Sequence, residues 1–281
     1  MKKIKLFCII CICAFVPLYA LDLSFGIQLD NFAFLDSGVL SSPKKPGFGC
    51  NAEIASNLTD IIGAEFKIQR TPHIGNLLKS RISFSSQSIM FSFGPSIAFL
   101  NKEHGKKEFA SVFQPGFGVG MHILTAKGFF ARFDMDFSLY TGLSKMNIYI
   151  NNGNFELGMR VPHAFVSVKL EQCTRTSAID AVTTSSLTDA SLNFEVFSKP
   201  SQFVFPLSCI ARIAKFKSES QPDLDRSFLS IILRLGFSHN IYNDLSYYIT
   251  GEVPIYDIKL KGDVPTEIRY GIKTGFSIGI H

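Results

Sequence analysis

The chain has 281 residues, a formal net charge of +5, a mean hydropathy of +0.21, 28 Phe and no Trp. Three lysines and no acid sit in the first twenty residues, so the charge of the remainder is only +2, which gives no support for a nucleic-acid partner. Cys8, Cys11 and Cys13 lie in that leading stretch too. The remaining Cys50, Cys173 and Cys209 are odd in number and widely spaced, which excludes a disulfide framework or metal knuckle and leaves a single bridge open.

In chain order, Met1–Lys5 is basic, Leu6–Val16 is apolar and Pro17–Ala20 is a cleavage-type end, the pattern of a secretory signal peptide cut after Ala20. The apolar run is shorter than the ~20 residues a membrane helix needs. Residues 21–281 hold no apolar run of that length either. They alternate at period two instead, the strand signal.

Leu21, Leu23, Phe25, Ile27 and Leu29 alternate with Asp22, Ser24, Gly26, Gln28 and Asp30. A long loop follows from Asn31 to Pro46. Asn57–Asp60 is a short turn before Ile62–Ile68, and Thr71–Lys79 a longer connection. Ser85–Gln87 is short and Asn101–Glu108 longer. Gly116, Gly118 and Gly120 oppose Phe117, Val119 and Met121. Their period-two spacing within a strand separates them from a phosphate loop, which turns from strand to helix.

Ala126–Gly128 is the next short turn. In Phe129–Tyr140 one face carries Phe129, Ala131, Phe133, Met135, Phe137 and Leu139, the other Arg132, Asp134, Asp136 and Ser138. Only a pleated strand sorts residues this way. Asn151–Asn154 predicts a hairpin turn after a weak strand at Leu143–Ile150. A parity slip near Pro162 predicts a bulge. Thr174–Asp189 is Ser/Thr-rich and predicts a long loop; Ser198–Gln202 and Asn240–Asp244 are short; Ser218–Asp225 and Lys259–Pro265 are longer. The count is about fourteen strands, falling to twelve or ten if weak ones fuse with neighbours.

If the sheet closes, the polar faces look inward. Glu65, Lys67, Arg132, Asp134, Asp136, Arg212, Arg234, Arg269 and Lys273 are then the predicted lumen-lining residues. Asp134 and Asp136 form a carboxylate pair on one face. An acid protease built on a barrel needs a further acid and His on a facing strand, and no Asp-x-His sequence occurs, so the reading is not an enzyme. His73, His104, His122, His163, His239 and His281 show no metal-ligand spacing, and no cofactor motif is present.

Lys273-Thr-Gly-Phe-Ser-Ile-Gly-Ile280 resembles the C-terminal signal strand of bacterial outer-membrane β-barrels, with Lys273, Gly275, Ile278 and Ile280 at its defined positions and His281 following. With the signal Met1–Ala20 and the alternating strands, the chain resembles that family over its whole mature length. The resemblance implies an all-β, antiparallel transmembrane barrel spanning 21–281 as one domain in the bacterial outer membrane. Its partners would be membrane lipid, the barrel insertion machinery and small hydrophilic solutes, passed through a porin-like channel. Two other readings stay open: a non-conducting surface barrel that binds a ligand or host through Asn31–Pro46 and Thr174–Asp189, and a secreted soluble β-sandwich.

Overall fold

The computed structural model describes residues 21–30, 47–71, 75–100, 112–138, 148–178, 182–198, 202–219, 222–242, 245–262 and 270–280. The predicted signal peptide, the Asn31–Pro46 loop and Arg269 lie outside them.

The strands are β1 (Leu21–Asp30), β2 (Gly47–Asn57), β3 (Ile62–Thr71), β4 (Gly75–Ser85), β5 (Ile89–Leu100), β6 (Val112–Leu124) and β7 (Phe129–Ser138). They continue as β8 (Ile148–Val161), β9 (Ala164–Ala178), β10 (Val182–Phe197), β11 (Phe203–Ser218), β12 (Arg226–Tyr242), β13 (Leu245–Lys261) and β14 (Gly271–Ile280). Each pairs antiparallel with its neighbours in sequence, and β14 returns to β1 from Leu21↔Ile280 to Asp30↔Gly271. The result is a closed 14-stranded barrel with no sheet edge. Closure rules out the β-sandwich.

The alternation in the sequence becomes two surfaces. Phe84, Phe91, Phe93, Leu157, Met159, Leu192, Phe194, Phe205, Leu207, Leu235 and Phe276 are exposed on the outside. On β11 the outward side chains from Phe203 to Ile213 give way to exposed Lys215 and Lys217. Ten steps of about 3.3 Å at a tilt of about 40° make a band about 25 Å tall, the height of the lipid-facing belt of outer-membrane barrels. Aromatic rings pack against one another on this surface. Phe84, Phe93, Phe117 and Phe137 form a run across β4–β7 at centroid spacings of 5.9, 6.4 and 6.1 Å. Phe203, Phe237, His239 and Tyr247 cluster near one end of β11–β13.

That end carries the short turns, and its rim is stitched by backbone hydrogen bonds between successive hairpins. Ser85 N donates to Ile61 O, Leu124 N to Ser88 O, Arg160 N to Gly128 O, Phe197 N to His163 O and Asn240 N to Gln202 O, at 2.7–2.9 Å.

Four expectations need correction. Asn151–Asn154 is no hairpin: these residues run inside β8, paired to β7 and β9. The turn lies at Pro162–His163, so the parity slip there marks a strand reversal and not a bulge. Proline cannot donate to a ladder, which makes this the natural place to stop. Thr174–Asp189 is no long loop: β9 and β10 pair through to Ala178↔Val182. Thr71–Lys79 likewise shrinks, because β4 starts at Gly75. Ser/Thr-rich and polar segments read as loops in sequence, but here neighbouring strands on both sides supply their hydrogen bonds. The strand total stays at fourteen because the misplaced hairpin and the missed reversal offset one another. Cys50, Cys173 and Cys209 stand as thiols on three different strands, so no bridge forms.

Candidate functional site: the inward wall

A closed sheet of fourteen strands about 4.8 Å apart, tilted by about 40°, has a backbone radius of about 14 Å. Inward side chains therefore line a lumen too wide for opposite walls to interdigitate fully. Glu65, Lys67, Arg132, Asp134, Asp136, Arg212, Arg234 and Lys273 all occupy the inward parity of their strands, opposite the exposed apolar side chains. They are gathered into separate networks.

The first network spans β4 to β7. Arg81 donates from Nη1 to Asp134 Oδ1 (2.8 Å) and from Nη2 to Asp136 Oδ1 (2.9 Å). Two strands lie between these partners, so the guanidinium must cross them on the concave face. The route is open because β6 carries glycine there. A Cβ on Gly118 would stand 2.3 Å from Asp136 Oδ1 and 3.0 Å from Arg81 Nη2. One on Gly120 would stand 2.6 Å from Asp134 Oδ1 and 3.0 Å from Arg81 Nη1. The period-two glycines thus form a floor under an arginine bridge. Lys79 also binds Asp136, and Arg132 also binds Asp134. His122 Nε2 lies 3.4 Å from Asp134 Oδ2. Glu65 stands opposite Arg81 in register.

The second network spans β9 to β14 and is made between neighbours. Asp189 and Arg212, paired in register, share two hydrogen bonds of 2.8 and 2.6 Å. Arg234 and Glu252, also paired in register, meet at 2.7 Å. Arg212 Nη2 and Lys273 Nζ approach the same Glu252 carboxylate at 3.8 and 3.6 Å. Lys169 pairs with Glu171 at 2.6 Å. A smaller pair, Lys67 to Glu53 at 2.8 Å, sits on β2–β3.

Several of these residues escaped the sequence reading. Lys79 and Arg81 lie in a strand with weak alternation. Asp189 lay in a predicted loop. Glu252 sits below a register shift at Ile231/Ile232 that breaks the parity of β13. His122 looked isolated because its partner is on the next strand. The GFGVG stripe was the one available signal for Arg81, since an inward stripe without side chains leaves room for a long one from elsewhere.

The inward wall is not polar throughout. Ile210, Ala214, Phe216, Phe228 and Ile232 are buried on the inward parity of β11 and β12, above and below Arg212. The sequence alternation concealed this patch, because both faces of these strands are apolar over that stretch.

No protein-family model matches the chain, and no curated protein matches its sequence. Among solved structures it is similar to an outer-membrane channel from Pseudomonas putida F1, at 7% identity and a TM-score of 0.53, over 93% of this chain and 95% of that one. A bacterial polysaccharide outer-membrane secretin is more distant, at 9% identity and a TM-score of 0.47, over 93% and 98% of the two chains. At such identity the likeness is one of fold. The chain has the fold of the bacterial outer-membrane β-barrel proteins, in a 14-stranded form.

Proposed function

We propose that this barrel sits in the bacterial outer membrane and acts as a passive, porin-like channel for small hydrophilic solutes. The observation that carries the reading is the combination of fourteen strands with ionisable groups gathered on the inward wall. A barrel of this girth leaves a wet interior where an eight-stranded one is filled. Arg132, Arg234 and Lys273, with Arg269, would set the field, opposed by Asp134, Asp136 and Glu65. The apolar band would meet lipid. Met1–Ala20 would direct export, and Lys273, Gly275, Ile278 and Ile280 would present the closing strand to the insertion machinery.

The chain is read as a transporter of solutes and not as an enzyme. Both members of the Asp134–Asp136 pair are held by cations. A hydrolytic site would need one of these carboxylates free of a bound cation.

The surface-binding alternative keeps less of its second expected loop, since 174–178 and 182–189 are strand. Refolded protein in planar bilayers tests the channel. Stepwise conductance is expected, and a membrane that stays silent at every voltage overturns the reading.

A further inference from the structure

We infer that the channel prefers small anions, carboxylate- or phosphate-bearing solutes among them; this rests on the channel reading above. The inward wall carries both signs, so the sign of the passage depends on which charges meet the water. In the two large networks the geometry is one-sided. The side chains of Asp134, Asp136, Asp189 and Glu252 are only 10–13% exposed. Arg81, at 8%, is buried with Asp134 and Asp136, and Arg212, at 14%, with Asp189. Arg132 and Lys273, at the lumen side of the same networks, are 43% and 40% exposed.

The formal charge of the β9–β14 network points the same way. Lys79, Arg81 and Arg132 bind Asp134 and Asp136, and Glu65 and Glu156 stand opposite Arg81 and Arg132 in register, so this network carries no cation excess. Lys169, Arg212, Arg234 and Lys273 face Glu171, Asp189 and Glu252, four to three. The β9–β14 network therefore keeps one cation in excess. Glu171 is the exception to the burial pattern at 43% exposed, and Lys169 holds it at 2.6 Å.

Depth decides which charge an ion in transit feels. A carboxylate that is less exposed than a cation bound to it is screened by that cation. An ammonium or guanidinium at the water boundary acts at full reach within a Debye length of about 8 Å. Arg132 bonds Asp134 through Nε and stays 43% exposed. Such a group recognises carboxylate or phosphate oxygens well. The two exposed cations belong to β7 and β14, on different sides of the lumen, so an anion passing through meets one or the other.

The experiment is the reversal potential of single channels across a KCl gradient, where the two ions have nearly equal mobility. The expected sign is that of chloride permeation. Arg132→Gln combined with Lys273→Gln should lower the chloride-to-potassium permeability ratio at least about twofold. Lys217→Gln, on the outer face, should leave it unchanged. Replacing chloride by phosphate should preserve the sign. A wild-type channel that conducts but favours potassium overturns this inference while leaving the channel reading intact. So does a ratio unmoved by the double substitution. A silent bilayer overturns both.

Discussion

The two sides of this barrel solve one problem differently. Both must place carboxylates and cations on a wall facing water. On β9–β14 the partners are direct cross-strand neighbours, Asp189 with Arg212 and Arg234 with Glu252. On β4–β7 the central partner comes from two strands away, and Arg81 crosses a stripe of glycine to reach Asp134 and Asp136. At Glu252 the loss of one partner is tolerated, because Arg212, Arg234 and Lys273 share that acid. The bridge concentrates its contacts in one side chain that is only 8% exposed.

The largest effect should come from Arg81→Leu. It removes the buried guanidinium from two carboxylates at once, and breaking a buried pair this way costs about 3–5 kcal/mol. Urea unfolding in detergent micelles should show it as a lower midpoint. Adding Asp134→Asn and Asp136→Asn should recover part of the loss; no recovery would mean that Arg81 acts through packing alone.

Filling the floor should come next. Gly118→Leu puts a side chain where Asp136 and Arg81 meet, and overpacking of this kind costs about 1–3 kcal/mol. If the same change at Gly153, whose Cβ would meet nothing within 4 Å, costs as much, the floor has no special role.

Arg234→Met should cost less, about 1 kcal/mol, since Glu252 keeps Lys273 and Arg212 nearby and the site is partly open to water. A loss as large as that of Arg81→Leu would erase the contrast between the two sides.

The smallest effect lies at the long-connection end, outside the band. Asp225 accepts from Lys261 Nζ at 2.9 Å and from Ser218 N at 3.0 Å, and the Lys261 contact holds its pKa below the ordinary aspartate value. A lowered folded pKa gives stability that is present above the unfolded value and lost as pH falls through the folded one. A slight drop in unfolding midpoint below about pH 4 is therefore expected. It should be smaller in Asp225→Asn, and an equal drop there would remove Asp225 as its source.

The neighbour pairs were half legible in the sequence. Arg212 and Arg234 could be assigned to the inward face from alternation. Their acids could not, because Asp189 sat in a Ser/Thr-rich stretch and Glu252 beside a bulge. The bridge was less legible still. Asp134 and Asp136 stood out at period two, but nothing local ties them to Arg81, fifty-odd residues earlier. Such a link depends on register across three strand pairs and on what the intervening strands leave empty.

By itself, the sequence determined the class of sheet. Side-chain alternation has a period of two, and that period is a local property of the pleat, readable residue by residue. It also determined the approximate number of strands, and which end of the hairpins turns tightly. The tertiary structure alone decided where β8 reverses, which acids pair with which cations, and that an apolar patch faces inward on β11 and β12. Each of these depends on closure, which brings distant strands into one concave wall. Charge there is paired by register as well as sorted by parity, and register is not encoded in any single strand.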